Sequence, residues 1–114
     1  MNNKRQLKRR HLIYYLRVFD RDKDKLIGHL ADINQKGCML ISTKKIEINK
    51  EFNMKMLLPN PIMGSEELIF STHSKWSKKD INPDFYLTGF EFDDFPSQKV
   101  KIIDKLIDDF GFND

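Results

Sequence analysis

The chain has 114 residues and a mass of 13.6 kDa, room for one compact domain with a modest core and too little for two globular domains with a linker. With 39% hydrophobic and 32% charged residues, nine Phe, three Tyr and one Trp, it lies far from the composition of a disordered chain and is expected to fold. The formal charge of +3 is uneven: Lys4, Arg5, Lys8, Arg9, Arg10 and Arg17 precede the first acid, Asp20, so a +6 segment is attached to a remainder of −3.

Residues 1–11 are therefore expected to form a flexible basic arm, and residues 12–114 a single domain. Leu12 to Phe19 (LIYYLRVF) is aromatic and branched with no helix-breaking residue inside it, which favours a strand. Asp20 to Lys25 is a charged turn, and Leu26 to Ile33 (LIGHLADI) resumes strand character, so the two segments should pair as a hairpin. After an Asn-Gln-Lys-Gly turn, Cys38 to Thr43 forms a third strand, with Gly37 suited to a positive φ.

Phe52 to Leu58 alternates, placing Phe52, Met54, Met56 and Leu58 on one side of a half-buried fourth strand. Pro59, Pro61 and Gly64 predict a loop of several residues, followed by a fifth strand from Glu67 to about Lys75, leading to Trp76. A loop around Asn82-Pro83 precedes a sixth strand, Phe85 to Phe92, in which Gly89 marks a bulge or a close backbone approach. The period then changes. Val100, Ile103, Leu106, Ile107 and Phe110 recur at three- and four-residue spacing, the stripe of an amphipathic helix over 97–110, with Ser97 as N-cap and Gly111 as stop. Six short strands and one terminal helix predict an all-β fold, a small antiparallel barrel or sandwich with the helix covering one open side.

Signals for catalysis are weak. His11, His29 and His73 are far apart and show no metal-ligand spacing. Cys38 lies within an apolar strand, where a buried thiol is inert, and as the lone cysteine it excludes an internal disulfide and fits a reducing compartment. No glycine-rich phosphate loop is present. Asp93-Asp94 and Asp108-Asp109 fall at the approach and the end of the helix, where a solvated acidic surface explains them. No apolar run approaches the roughly 20 residues needed to span a bilayer, and the basic start is not followed by a signal-peptide core. A non-enzymatic cytoplasmic protein without a metal or cofactor and without membrane insertion is expected. Trp76 is expected to be a core or rim anchor, and Met63 to be exposed on its loop.

Two features remain. One is the arm Lys4 to His11 (KRQLKRRH), whose arginines present planar forks of donors that grip phosphate or a guanine edge and whose faces stack on bases. The other is Asp32-Ile33-Asn34-Gln35-Lys36-Gly37, where a carboxylate able to accept from guanine N1 and N2 lies close to an amide, beside a glycine that lets the backbone reverse. The plainer alternative is that Asp32 and Asn34 satisfy turn amides and the arm is a solubilising tail.

These residues resemble the PilZ domain family, which carries an N-terminal RxxxR followed, about one hairpin later, by a (D/N)xSxxG turn. Arg5-Gln6-Leu7-Lys8-Arg9 satisfies the first pattern, and Asp32 and Gly37 match the second, with Asn34 where the family usually has Ser. The likeness continues through IGHLADI, Trp76 and YLTGFEF, and covers most of the chain. It implies a six-stranded antiparallel β-barrel with a C-terminal helix, and a bacterial receptor for the second messenger cyclic di-GMP. It also implies that Arg5, Arg9 and Arg10 clasp the ligand while Asp32, Asn34 and Gly37 contact its other face. The signal would pass to an unidentified downstream protein, with the receptor a monomer or homodimer. If the first arginine of the pattern is Arg9, Ile13 falls where the second should be. That register, with Asn34, motivates the alternative of a PilZ-like adaptor acting through protein contacts without the nucleotide. A third reading, RNA or single-stranded DNA bound through the arm and Tyr14, Tyr15 or Phe19, needs aromatics on an exposed face, whereas those strands must also supply the core. Long nucleic acid is therefore not the expected partner.

Overall fold

The computed structural model describes residues 16–93 and 97–110. Six strands, β1 (Arg17–Asp20), β2 (Lys25–Ile33), β3 (Gly37–Ser42), β4 (Glu51–Ile62), β5 (Ser65–Lys79) and β6 (Tyr86–Phe92), precede one helix, α1 (Ser97–Phe110). All strand pairs are antiparallel, and the order β1-β2-β3-β6-β5-β4 closes on itself through β4 and β1. Closure gives every strand a neighbour on both sides, although β1 covers β4 only at Met54–Met56, and so limits the exposed edge that would invite edge-to-edge association. The expected all-β barrel with a C-terminal helix is the observed architecture.

Alternation sets which side chains enter the barrel. Val18, Leu30, Leu40, Met54, Met56, Leu68, Phe70 and Phe90 point inward and are buried. Phe52 and Leu58 share the inward face of β4 and are half-buried against the same core. Edge-to-face ring pairs Phe52–Phe90 and Phe70–Phe92, with centroids 5.7 and 5.2 Å apart, stiffen it. Each open end has its own cover. At one end Ile102, Ile103 and Leu106 of α1 bury into the core cluster. At the other, Ile46 of the β3–β4 loop joins that cluster, held by the buried Ser74, whose hydroxyl donates to Glu47 O at 2.6 Å.

Several boundaries differ from expectation for identifiable reasons. Within the expected first strand the described part begins at Leu16, and the paired segment is Arg17–Asp20; Leu12 to Tyr15, the basic arm and Gly111 lie outside the described residues. The chain from Pro59 to Gly64 is not a loop of several residues. β4 runs on to Ile62, and a two-residue turn, Met63 (φ 52°) and Gly64 (φ 82°), joins it to β5. Both turn residues are left-handed, the backbone that matches the twist of a hairpin. The prolines are tolerated because pairing with β5 is irregular between Leu57 and Ile62, where no ladder amide is required of them. Met63 at the tip is exposed, as expected. β5 likewise extends past Lys75 to Lys79 and carries Trp76 within it.

Candidate functional site

The two ends of the β2–β3 connection explain the local geometry. β2 pairs Leu30 with Leu40 and then Asp32 with Met39, so Ala31 is an extra residue, a bulge. A bulge re-aims the side chains beyond it. Leu30 and Ile33 are buried, while Asp32 joins Met39 on the outer side of the barrel. A second bulge lies across the same patch. β5 pairs Ser74 with Phe90 and Trp76 with Gly89, so Lys75 is extra, and Ser74 is buried while Trp76 turns outward with 41% of its surface exposed.

Between the bulges the outer surface is concave. A cavity of about 390 Å³ is lined by Asp32, Asn34, Lys36, Gly37, Trp76 and Gly89, among others. Its floor is made by glycines. A Cβ on Gly37 would come within 2.0 Å of the Phe90 carbonyl oxygen, and a Cβ on Gly89 within 2.3 Å of the Trp76 Nε1. Any side chain at either position would fill the hollow or force its wall apart. Gly37 therefore matters for close approach and not for φ: the expected positive φ is absent there, and Gly64 is the described glycine that has one. At Gly89 the close neighbour is the Trp76 side chain and not a backbone segment, and the bulge lies on the partner strand β5.

Hydrogen bonds order the turn. Asn34 Oδ1 accepts from the Lys36 and Gly37 amides at 2.7 and 3.1 Å, and the Asn34 amide donates to Gly37 O at 2.9 Å. This is an Asx turn, the reason asparagine suits the position. Asp32 Oδ1 accepts from the Ile33 amide at 2.8 Å, which orients its carboxylate at the rim. Gln35 Nε2 donates to Asp104 Oδ1 at 2.9 Å, tying the turn to α1. The plainer expectation for Asn34, satisfaction of turn amides, is thus met by its Oδ1.

The charges around the hollow are mixed. Lys75 Nζ lies 3.5 Å from Glu91 Oε1, and Lys78 Nζ lies 5.6 Å from the Trp76 ring centroid. Beneath the rim, Cys38 is buried, and its thiol is pushed up to about 12, chiefly by loss of solvation and secondarily by the Asp32 carboxylate. It stays protonated at neutral pH, which removes it as a nucleophile. His73 pairs with Asp93 on the outer sheet face. Among the described residues, no group of three or more His, Cys, Asp and Glu is arranged to hold a metal.

Of the residues expected to bind a ligand, the fold brings Asp32, Asn34 and Gly37 together on one rim; Arg5, Arg9 and Arg10 lie outside the described residues. Lys36, Lys75 and Glu91 at the hollow were not foreseen, and Trp76, expected as a core or rim anchor, stands at its rim. The available signal for Trp76 was Gly89, a glycine inside an otherwise well-formed strand. No family model matches the chain, and no curated protein matches it.

Proposed function

We propose that the chain is a PilZ-type receptor that binds cyclic di-GMP in this hollow and passes the signal to a partner protein. The observation that carries the reading is the joining of Asp32, Asn34 and Gly37 to an exposed indole across a glycine floor. A hollow of about 390 Å³ falls in the range of small-molecule sites, roughly 300–1,000 Å³. Each part has a role suited to a guanine nucleotide. The Asp32 carboxylate accepts from guanine N1 and N2, the Trp76 face stacks on a base, and the glycines let the ligand approach the backbone. Lys36 supplies positive charge at the rim, and Arg5, Arg9 and Arg10 are assigned to the phosphates and the guanine edge.

A second reading, the nucleotide-independent adaptor, is favoured by one observation: Asn34 Oδ1 already accepts two turn amides. The lone tryptophan separates the two. Saturable change of Trp76 emission on adding cyclic di-GMP, lost in Asp32→Ala, is expected of the receptor. Unchanged emission together with a stable protein complex in the absence of nucleotide would establish the adaptor.

A further inference from the structure

The chain exposes five large hydrophobic side chains among the described residues: Leu26, Ile48, Met63, Trp76 and Ile81. Trp76 belongs to the hollow and Met63 to the β4–β5 turn. The other three gather at the opposite end of the barrel, where the β1–β2 turn, the β3–β4 loop (43–50) and the β5–β6 loop (80–85) meet. Cross-strand pairing of Ser42 with Tyr86 and of Tyr86 with Lys79 puts the roots of the two loops side by side. Leu26 shares a small cavity with Thr43, Lys44 and Phe85, which connects β2 to the same group. Ile48 lines another with Lys45 and Ser77. Ile81 stands at the tip of its loop with 98% of its surface in solvent, against 49% for Leu26 and 45% for Ile48.

Lysines surround these side chains. Lys44, Lys45, Lys78 and Lys79 are all exposed, and none is in an ion pair among the described residues, though the Lys78 ammonium also lies 5.6 Å from the Trp76 ring centroid, between this end and the hollow. Lys50 is offset by Glu47 at 3.9 Å. Asp80 and Asp84 are the remaining acids of the two loops, so the loops and the end of β5 stay net positive, while the alternating charges of Asp20 to Lys25 cancel. Among the described residues as a whole, bases and acids balance. The excess is therefore local, and it sits where the aliphatic side chains protrude.

We infer that this end of the barrel docks on an anionic lipid surface, with Ile81 and Ile48 entering the headgroup boundary and Lys44, Lys45, Lys78 and Lys79 facing lipid phosphates. The contact is peripheral, distinct from a spanning segment; no described helix is long and apolar enough to cross a membrane. Separate aliphatic tips suit a fluid apolar phase, which covers a protruding side chain without a matching pocket. A folded protein partner would need continuous, closely packed area around Ile81, and its loop offers an unwalled tip. A second copy is disfavoured because it would set lysines against lysines. Anionic headgroups instead attract each lysine near the surface.

The test is sedimentation of the full chain with vesicles of phosphatidylcholine, alone and with phosphatidylglycerol. Binding to the mixed vesicles is expected, with little binding to phosphatidylcholine alone. Because Arg5, Arg9 and Arg10 can also attract anionic lipid, the deciding variants lie at this end of the barrel, in the β5–β6 loop and the last residues of β5. Ile81→Asp is expected to weaken binding by about tenfold or more through lost apolar burial. Lys78→Glu with Lys79→Glu should weaken it by at least about twentyfold. Lys101→Glu, on the exposed face of α1, should change it less than either. All four positions are exposed, and unchanged circular dichroism of each variant confirms the comparison. Absence of binding, or binding to mixed vesicles that is indifferent to Ile81→Asp, overturns the inference. Capture of an acidic protein through Lys78 and Lys79 without vesicle binding does so as well.

Discussion

Trp76 and Gly89 are cross-strand neighbours, and the indole lies over the glycine so closely that a Cβ at position 89 would fall 2.3 Å from Nε1 and 2.4 Å from Cε2. The pair builds one wall and part of the floor of the hollow. An alanine at 89 must displace the ring, and the partly exposed ring can swing outward. Gly89→Ala is expected to cost only about 1 kcal/mol in urea denaturation, with Trp76 emission moving to longer wavelength as the indole gains water. Unchanged emission would mean that the ring does not rest on Gly89.

Gly37 offers the contrast, because its obstacle is backbone. The Phe90 carbonyl is part of the β3–β6 ladder and has nowhere to move. Gly37→Ala should therefore destabilise by about 2–3 kcal/mol, seen as a lower denaturation midpoint at constant slope. A loss no greater than that of Gly89→Ala would contradict this account of the floor.

Trp76→Ala tests the base platform. The side chain is 41% exposed, so its removal forfeits the burial of the rest and should lower stability by about 1–3 kcal/mol while leaving the protein folded. A lost base stack, about 1–3 kcal/mol, should lower nucleotide affinity by about tenfold or more in calorimetry.

Asn34 tests the turn. Asn34→Ser keeps a short acceptor for the Lys36 and Gly37 amides and should fold within about 0.5 kcal/mol of wild type. With a smaller group on the rim, it should bind cyclic di-GMP several-fold more tightly. Asn34→Ala loses the acceptor and is expected to cost about 1 kcal/mol in denaturation experiments.

Cys38 gives a pH dependence with a defined sign. Its thiol holds its proton more tightly folded than unfolded, rising from 9.0 to about 12. The stability it contributes is fully present below about pH 9 and is lost as pH rises toward 12, by at most about 4 kcal/mol. Cys38→Ala should flatten that alkaline loss relative to wild type. At neutral pH the native thiol should react with aromatic disulfides only as fast as the barrel opens; rapid reaction of folded protein would contradict its burial.

The all-β fold with its terminal helix was legible because alternation in FNMKMLL and the change of period at Val100 each have one physical meaning, whereas the six segments fitted a barrel or a sandwich and only the family resemblance implied the barrel. The β4–β5 turn was not, because Pro59 and Pro61 signal a loop wherever ladder amides are needed, and only the irregular pairing shows that they are not needed here. Asp32, Asn34 and Gly37 were readable as a turn by their chemistry. Their proximity to Trp76 was not, since it depends on extra residues at Ala31 and Lys75 that turn two side chains outward from strands far apart in sequence.

The receptor reading is tested most directly by isothermal calorimetry of the full chain with cyclic di-GMP, run beside Asp32→Ala and Arg9→Ala. Saturable heat for wild type, and affinity weakened at least tenfold in each variant, is the expected result. No heat of binding up to about millimolar ligand, or wild-type binding that both variants retain, would contradict it.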